Sequence, residues 1–108
     1  MYREDELPKN LIIYRDMLIG NTKFEHLPNN LTVHGFLFLD STYVTKLPRG
    51  LIVYEGLSIE HNDIDILPED LAVFITLYIR FTGIKRIPAY LRKLLPADKI
   101  ICDSITTK

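Results

Sequence analysis

Hydrophobic positions recur every 20 residues from Leu7 to Arg86. The units are LPKNLIIYRDMLIGNTKFEH (7–26), LPNNLTVHGFLFLDSTYVTK (27–46), LPRGLIVYEGLSIEHNDIDI (47–66) and LPEDLAVFITLYIRFTGIKR (67–86). A degenerate fifth, beginning IPAYLRKLLPADKIICDSI, opens the closing stretch 87–108. A fixed short period is the mark of a solenoid, in which each coil buries its apolar face only against its neighbours. Each unit holds two short alternating stretches, such as Leu51-x-Val53 and Leu57-x-Ile59. Alternation predicts strands with one buried face, and the segment between them is too short for an ordinary helix. We therefore expect parallel sheets running along the solenoid, with coils about 4.8 Å apart.

The columns formed by stacking the units have separate physical roles. Leu7, Leu27, Leu47, Leu67 and Ile87 align, as do Leu11, Leu31, Leu51, Leu71 and Leu91. Ile13 with Val33, Val53 and Val73, Met17 with Leu37, Leu57 and Leu77, Ile19 with Leu39, Ile59 and Ile79, and Phe24 with Val44, Ile64 and Ile84 complete the expected core. Pro8, Pro28, Pro48, Pro68 and Pro88 set φ at a corner and donate no N–H, which suits a bend outside the strands. Thr22, Thr42, Asn62 and Thr82 form a polar column placed to hydrogen-bond buried turn backbone.

The run Tyr54-Glu-Gly-Leu57-Ser-Ile59-Glu-His-Asn62-Asp-Ile64, followed by Leu67-Pro68, fits the LxxLxLxxNxL core of leucine-rich repeats followed by LP. The chain resembles the short LP-containing repeat proteins of bacteria and their phages over residues 7–86. It departs from that pattern in carrying Thr for Asn in three of four coils and in lacking long helical caps or a catalytic domain. The resemblance implies a single β-rich, right-handed, leucine-rich-repeat-like coil stack over residues 1–108, with four full coils and a degenerate capping coil. It also implies a curved scaffold that binds other proteins.

Terminal coils must hide their open edges. Residues 1–6 are few and charged, so Glu4, Asp5 and Glu6 are expected only to deter edge pairing. Ala89 to Leu95 predicts one or two helical turns stopped by Pro96, and Lys99 to Asp103 a last short strand. Cys102 is expected as a structural thiol near the polar column or in the cap. From Lys85 onward six basic residues face two acidic ones, which makes the end of the chain +4 and residues 1–84 −5. A basic cap could meet an acidic partner or nucleic acid, or simply resist end-to-end stacking.

Outward positions of the second strand supply the candidate contact surface. Four columns are Asp16/Phe36/Gly56/Thr76, Leu18/Phe38/Ser58/Tyr78, Gly20/Asp40/Glu60/Arg80 and Asn21/Ser41/His61/Phe81. We single out Leu18, Phe36, Phe38, Asp40, Ser58, Glu60, His61, Tyr78, Arg80 and Phe81 as partner-binding candidates, because apolar clusters on water-facing positions mark interfaces. Coverage by a second copy of the chain and plain surface decoration are the competing readings. Asp40 and Glu60 should repel while Arg80 pairs with Glu60. His34 shares a column with Tyr14, Tyr54 and Phe74 and reads as a packed aromatic substitute.

The remaining composition narrows the function classes. A net charge of −1 argues against a dedicated nucleic-acid binder. One cysteine forms no internal disulfide, and one Cys with three scattered His make no zinc cluster. No nucleophile–base pair, phosphate loop or metal motif is present, so no enzyme activity and no cofactor is expected. The acidic start has no signal-peptide pattern, and no stretch reads as a membrane span, so a cytoplasmic protein is expected. The leading reading is a non-enzymatic protein-binding module, in one version a small phage or mobile-element-type inhibitor that blocks a host protein. Alternatives are a self-assembling homo-oligomer and nucleic-acid contact through the basic cap.

Overall fold

The computed structural model of the chain describes residues 7–103. Each coil contributes one strand to each of two parallel sheets. The first sheet holds β1 (Ile12–Ile13), β3 (Thr32–Val33), β5 (Ile52–Val53) and β7 (Ala72–Val73) in that order. The second holds β2 (Met17–Leu18), β4 (Leu37–Phe38), β6 (Gly56–Ser58), β8 (Thr76–Tyr78) and β9 (Ile100–Ile101). Ile13 pairs with Val33, Val33 with Val53 and Val53 with Val73, so the 20-residue period is the sheet register itself. The protein is a β-solenoid of four coils with parallel sheets and very little helix.

Register explains burial. Val33, Val53 and Val73 from the first sheet and Met17, Leu37, Leu57 and Leu77 from the second are fully buried, and Leu31, Leu51, Leu71 and Leu91 close the same core. Leu7, Leu11 and Ile13 in the first coil occupy equivalent positions yet are only partly buried, since among the described residues they are packed from one side only.

The coils turn through two left-handed corners, the first of them in three of the four coils. Before the first sheet the left-handed residue is Asn10, Asn30 and Gly50, with φ of 64°, 60° and 72°. After the second sheet it is Asn21, Ser41, His61 and Phe81, with φ from 58° to 61°. Asn and Gly adopt this conformation at little cost, which a bulky side chain does not. The amides at these corners feed the next coil: Asn10 donates to the Asn29 carbonyl (3.0 Å), Asn30 to Arg49 (2.8 Å) and Asn21 to Asp40 (2.8 Å). Two aspartates substitute where that backbone ladder breaks. Asp70 accepts the Gly50 N–H at 2.9 Å, and Asp103 accepts the Phe81 N–H at 2.7 Å.

The polar column satisfies the turn after the second sheet in two ways. Thr22 and Thr82 act locally, donating to the carbonyls of Ile19 and Ile79 (both 2.7 Å) and accepting from Phe24 and Ile84 (both 3.3 Å). Asn62 acts between coils. Its Oδ1 accepts from the Thr42 N–H (2.7 Å) and hydroxyl (3.2 Å), and its Nδ2 donates to the Leu39 carbonyl (2.8 Å).

The C-terminal end is closed. Helix α1 (Ala89–Leu94) begins after Pro88, buries Leu91 and packs against β7, while β9 adds to the second sheet beside β8. Leu77 faces Ile100, a step of 23 residues rather than 20, because the last coil contains α1 and a 3-10 turn (Ala97–Lys99). The expected helix is present. The expected strand shortens to Ile100–Ile101, and Cys102 is half-buried against the core. Arg92 and Lys93 sit in the last turn of α1, where the helix dipole favours cations. Glu4, Asp5 and Glu6 and the terminal Lys108 lie outside the described residues.

Replacing Asn62 by Thr, the residue of the other three coils, should lower stability by about 2 kcal/mol in chemical denaturation. It would leave the Thr42 N–H buried without its partner, although the Thr42 hydroxyl could then turn to the Leu39 carbonyl as Thr22 does to Ile19.

Candidate interaction face

The outer surface of the second sheet is more deeply folded onto itself than its sequence suggests. Leu18 and Phe81 are more than half exposed, and His61 is exposed beside Phe81. Phe36, Phe38 and Tyr78 are half-buried, and Ser58 and Glu60 are buried outright. Ser58 and Glu60 are therefore corrected from contact residues to supporting ones. Neighbouring side chains cover them, because one sheet residue is only a coil spacing from the next.

Two glycines explain how the aromatic rings lie down. A Cβ on Gly20 would meet the Phe38 Cε2 at 2.1 Å, and one on Gly56 would meet Phe36 Cδ1 and Cε1 at 2.7 Å. Each ring fills the place that a side chain in the adjoining coil would take. Phe36 also meets Tyr78 edge-on, with centroids 6.3 Å apart. A large residue in one coil beside glycine in the next was the available sequence signal for this covering.

A part-buried polar network borders the face. Ser58 Oγ donates to Asp40 Oδ1 at 2.5 Å, and the Glu60 N–H donates to the same oxygen at 2.8 Å. The expected repulsion between Asp40 and Glu60 is thus moderated, since Asp40 accepts from Glu60's own backbone. Arg80 clasps Glu60 with both arms of its guanidinium, Nε to Oε2 at 2.8 Å and Nη2 to Oε1 at 3.2 Å. That hydrogen bond and the Glu60 charge hold the Arg80 pKa above its usual range, with Asp103 and Asp40 adding to the effect. Asp16 serves a similar backbone role one coil earlier, where its Oδ1 accepts the Phe36 N–H at 2.8 Å.

Phe81 stands out at the edge of the face. Its φ is 61°, a conformation that costs a bulky residue about 1–2 kcal/mol. The ring stacks on His61 at 4.5 Å and 14°, with the Arg80 guanidinium carbon 5.8 Å from its centre. The left-handed turn that carries this column left no decisive mark in the sequence, because Ser41 and Phe81 are not the residues such a turn selects.

A second aromatic column runs along the corner after the first sheet. Tyr14, His34, Tyr54 and Phe74 stack in sequence at 4.9, 4.8 and 5.3 Å, all within 18° of parallel. His34 does take the place of an aromatic, but outside the core, and it is exposed. Ring faces in this stack cover one another, so the column presents mainly edges to solvent. The outer face of Tyr14 is the exception, and Tyr14 is 77% exposed.

Among the described residues, no three His, Cys, Asp or Glu side chains converge as a metal site requires, and no helix is long and apolar enough to cross a membrane. A shallow hollow at the proline corner is lined by Thr45, Lys46, Leu47, Asp65, Ile66 and Pro68. Searches against protein-family models, curated proteins and solved structures return no match.

Arg80→Ala should lower the urea midpoint, because it leaves the buried Glu60 carboxylate without its guanidinium. Glu60→Leu combined with Arg80→Leu should cost less than the single change when both are compared by urea denaturation.

Proposed function

We propose that this protein is a non-enzymatic protein-interaction module of the short leucine-rich-repeat kind, acting in the cytoplasm and binding another protein through the outer face of its second sheet. A small inhibitor of the phage or mobile-element type, occluding a host protein's surface, is the concrete form of this reading. Phe81 carries it. A half-exposed phenylalanine is held in a left-handed backbone where Asn21 serves the equivalent turn three coils earlier. Strain of this kind persists where it has a use beyond packing. Elsewhere on the same face, Leu18, Phe36, Phe38 and Tyr78 provide an apolar surface on rigid, register-locked strands. Such pre-organisation lowers the entropic cost of binding.

One observation favours a second reading, self-association through the N-terminal end. Leu7, Leu11 and Ile13 are only partly buried there, and Leu18 on the outermost strand of the second sheet is 64% exposed. Light scattering separates the readings, since end-to-end pairing makes the mass rise with concentration whereas a module for a foreign partner stays monomeric.

The face is tested by quantitative capture from the source cell. Phe38→Ser with Tyr78→Ser should weaken retention of a stoichiometric partner by about 30-fold, the loss expected on removing an interface hot spot. Unchanged retention would dismiss this face. Phe81→Asn should leave the thermal midpoint almost unmoved, since relief of backbone strain offsets a lost stacking contact of about 1 kcal/mol. The same variant should reduce partner retention about tenfold.

A further inference from the structure

The chemistry of the partner can be read from the charges that border the apolar part of this face. On the four outward columns and the cap residue that joins them stand Asp16, Asp40, Glu60 and Asp103 against a single guanidinium, Arg80. Arg80 is already clasped by Glu60, so the surplus negative charge rests on the aspartates. Arg15 lies at the corner before β2, outside these columns.

The aspartates are also held in place. Asp16 and Asp40 each use Oδ1 for a backbone N–H of the following coil, that of Phe36 and of Glu60, both at 2.8 Å. Their second oxygens take no part in those bonds. Between their columns lies the column of Leu18 and Phe38, Leu18 exposed and Phe38 resting over Gly20. Strand rise and coil spacing put Asp16 and Asp40 about 14 Å apart, diagonally across that apolar pair. An apolar centre with a charged, hydrated rim is the usual anatomy of a binding patch.

We propose that the occupant of this patch is a basic segment of a different protein, in which an aromatic or aliphatic side chain covers Leu18 and Phe38 while a Lys or Arg on either side meets Asp16 and Asp40. The inference rests on the reading of this face as a binding surface and adds the partner's chemistry. Isologous pairing of two copies through this face is disfavoured because it would set the same surplus of carboxylates against itself. Nucleic acid is disfavoured because its phosphates carry the same sign.

The test selects random displayed peptides on the full chain, with counter-selection on Asp16→Asn/Asp40→Asn. Asparagine keeps an Oδ1 acceptor for the Phe36 and Glu60 amides, so that variant loses charge while retaining those bonds. Enriched peptides should pair Lys or Arg with an aromatic or leucine. A representative basic peptide should bind wild type about tenfold more tightly than the Asn variant at low salt, with the gap closing at high salt. It should also be lost on Leu18→Ser/Phe38→Ser. Neutral or acidic winners that are still lost on Leu18→Ser/Phe38→Ser would overturn the basic partner and leave the face standing. Peptides that bind all three proteins alike would overturn both, and absence of enrichment over the Asn variant would overturn the basic partner.

Discussion

Stacking of equivalent residues across coils is the constraint on which everything else in this protein depends. One coil has no interior. Leu57 is buried because Leu37 lies in register on one side and Leu77 on the other, and the same holds for Val53 between Val33 and Val73. Backbone bonds obey the same register, as when Thr32 donates to Leu11 and Ile52 to Leu31. A coil of different length would displace every column after it. The step of 23 residues between Leu77 and Ile100 falls where α1 and the 3-10 turn enter the coil.

Strict stacking also dictates where polar groups go. A β-solenoid must turn its chain sharply several times per coil, and each turn brings backbone amides and carbonyls close to the core. Threonine hydroxyls settle this locally at Thr22 and Thr82, while Asn62 settles it between coils. Asp70 and Asp103 extend the principle to places where a carbonyl of the next coil is missing from the ladder. Acidic residues that appear in the sequence as surface charge thus also serve as backbone acceptors.

The outer face of the second sheet differs from the core in that its residues are not repeated. Leu18, Phe38, Ser58 and Tyr78 share a column but not a size or polarity. Irregularity there permits rings to recline over Gly20 and Gly56, carboxylates to border an apolar centre, and Phe81 to be held out against its backbone preference. A repeat scaffold supplies rigidity through its regular columns, and any selectivity must come from the irregular ones.

How much of this was legible in the sequence follows from the same distinction. The period of 20, the six apolar columns, the proline corners, the polar column and the short helix before Pro96 could all be read directly, because repetition turns local pattern into register. The Arg80–Glu60 pair was legible too, being one coil apart in one column. Burial of Ser58 and Glu60, the reclining of Phe36 and Phe38, and the stacked Tyr14–His34–Tyr54–Phe74 edge were not. Which residues neighbour one another follows from counting by twenties along the chain. Which of those neighbours covers the other emerges only on folding, because covering depends on side-chain direction and on the space that a glycine leaves open.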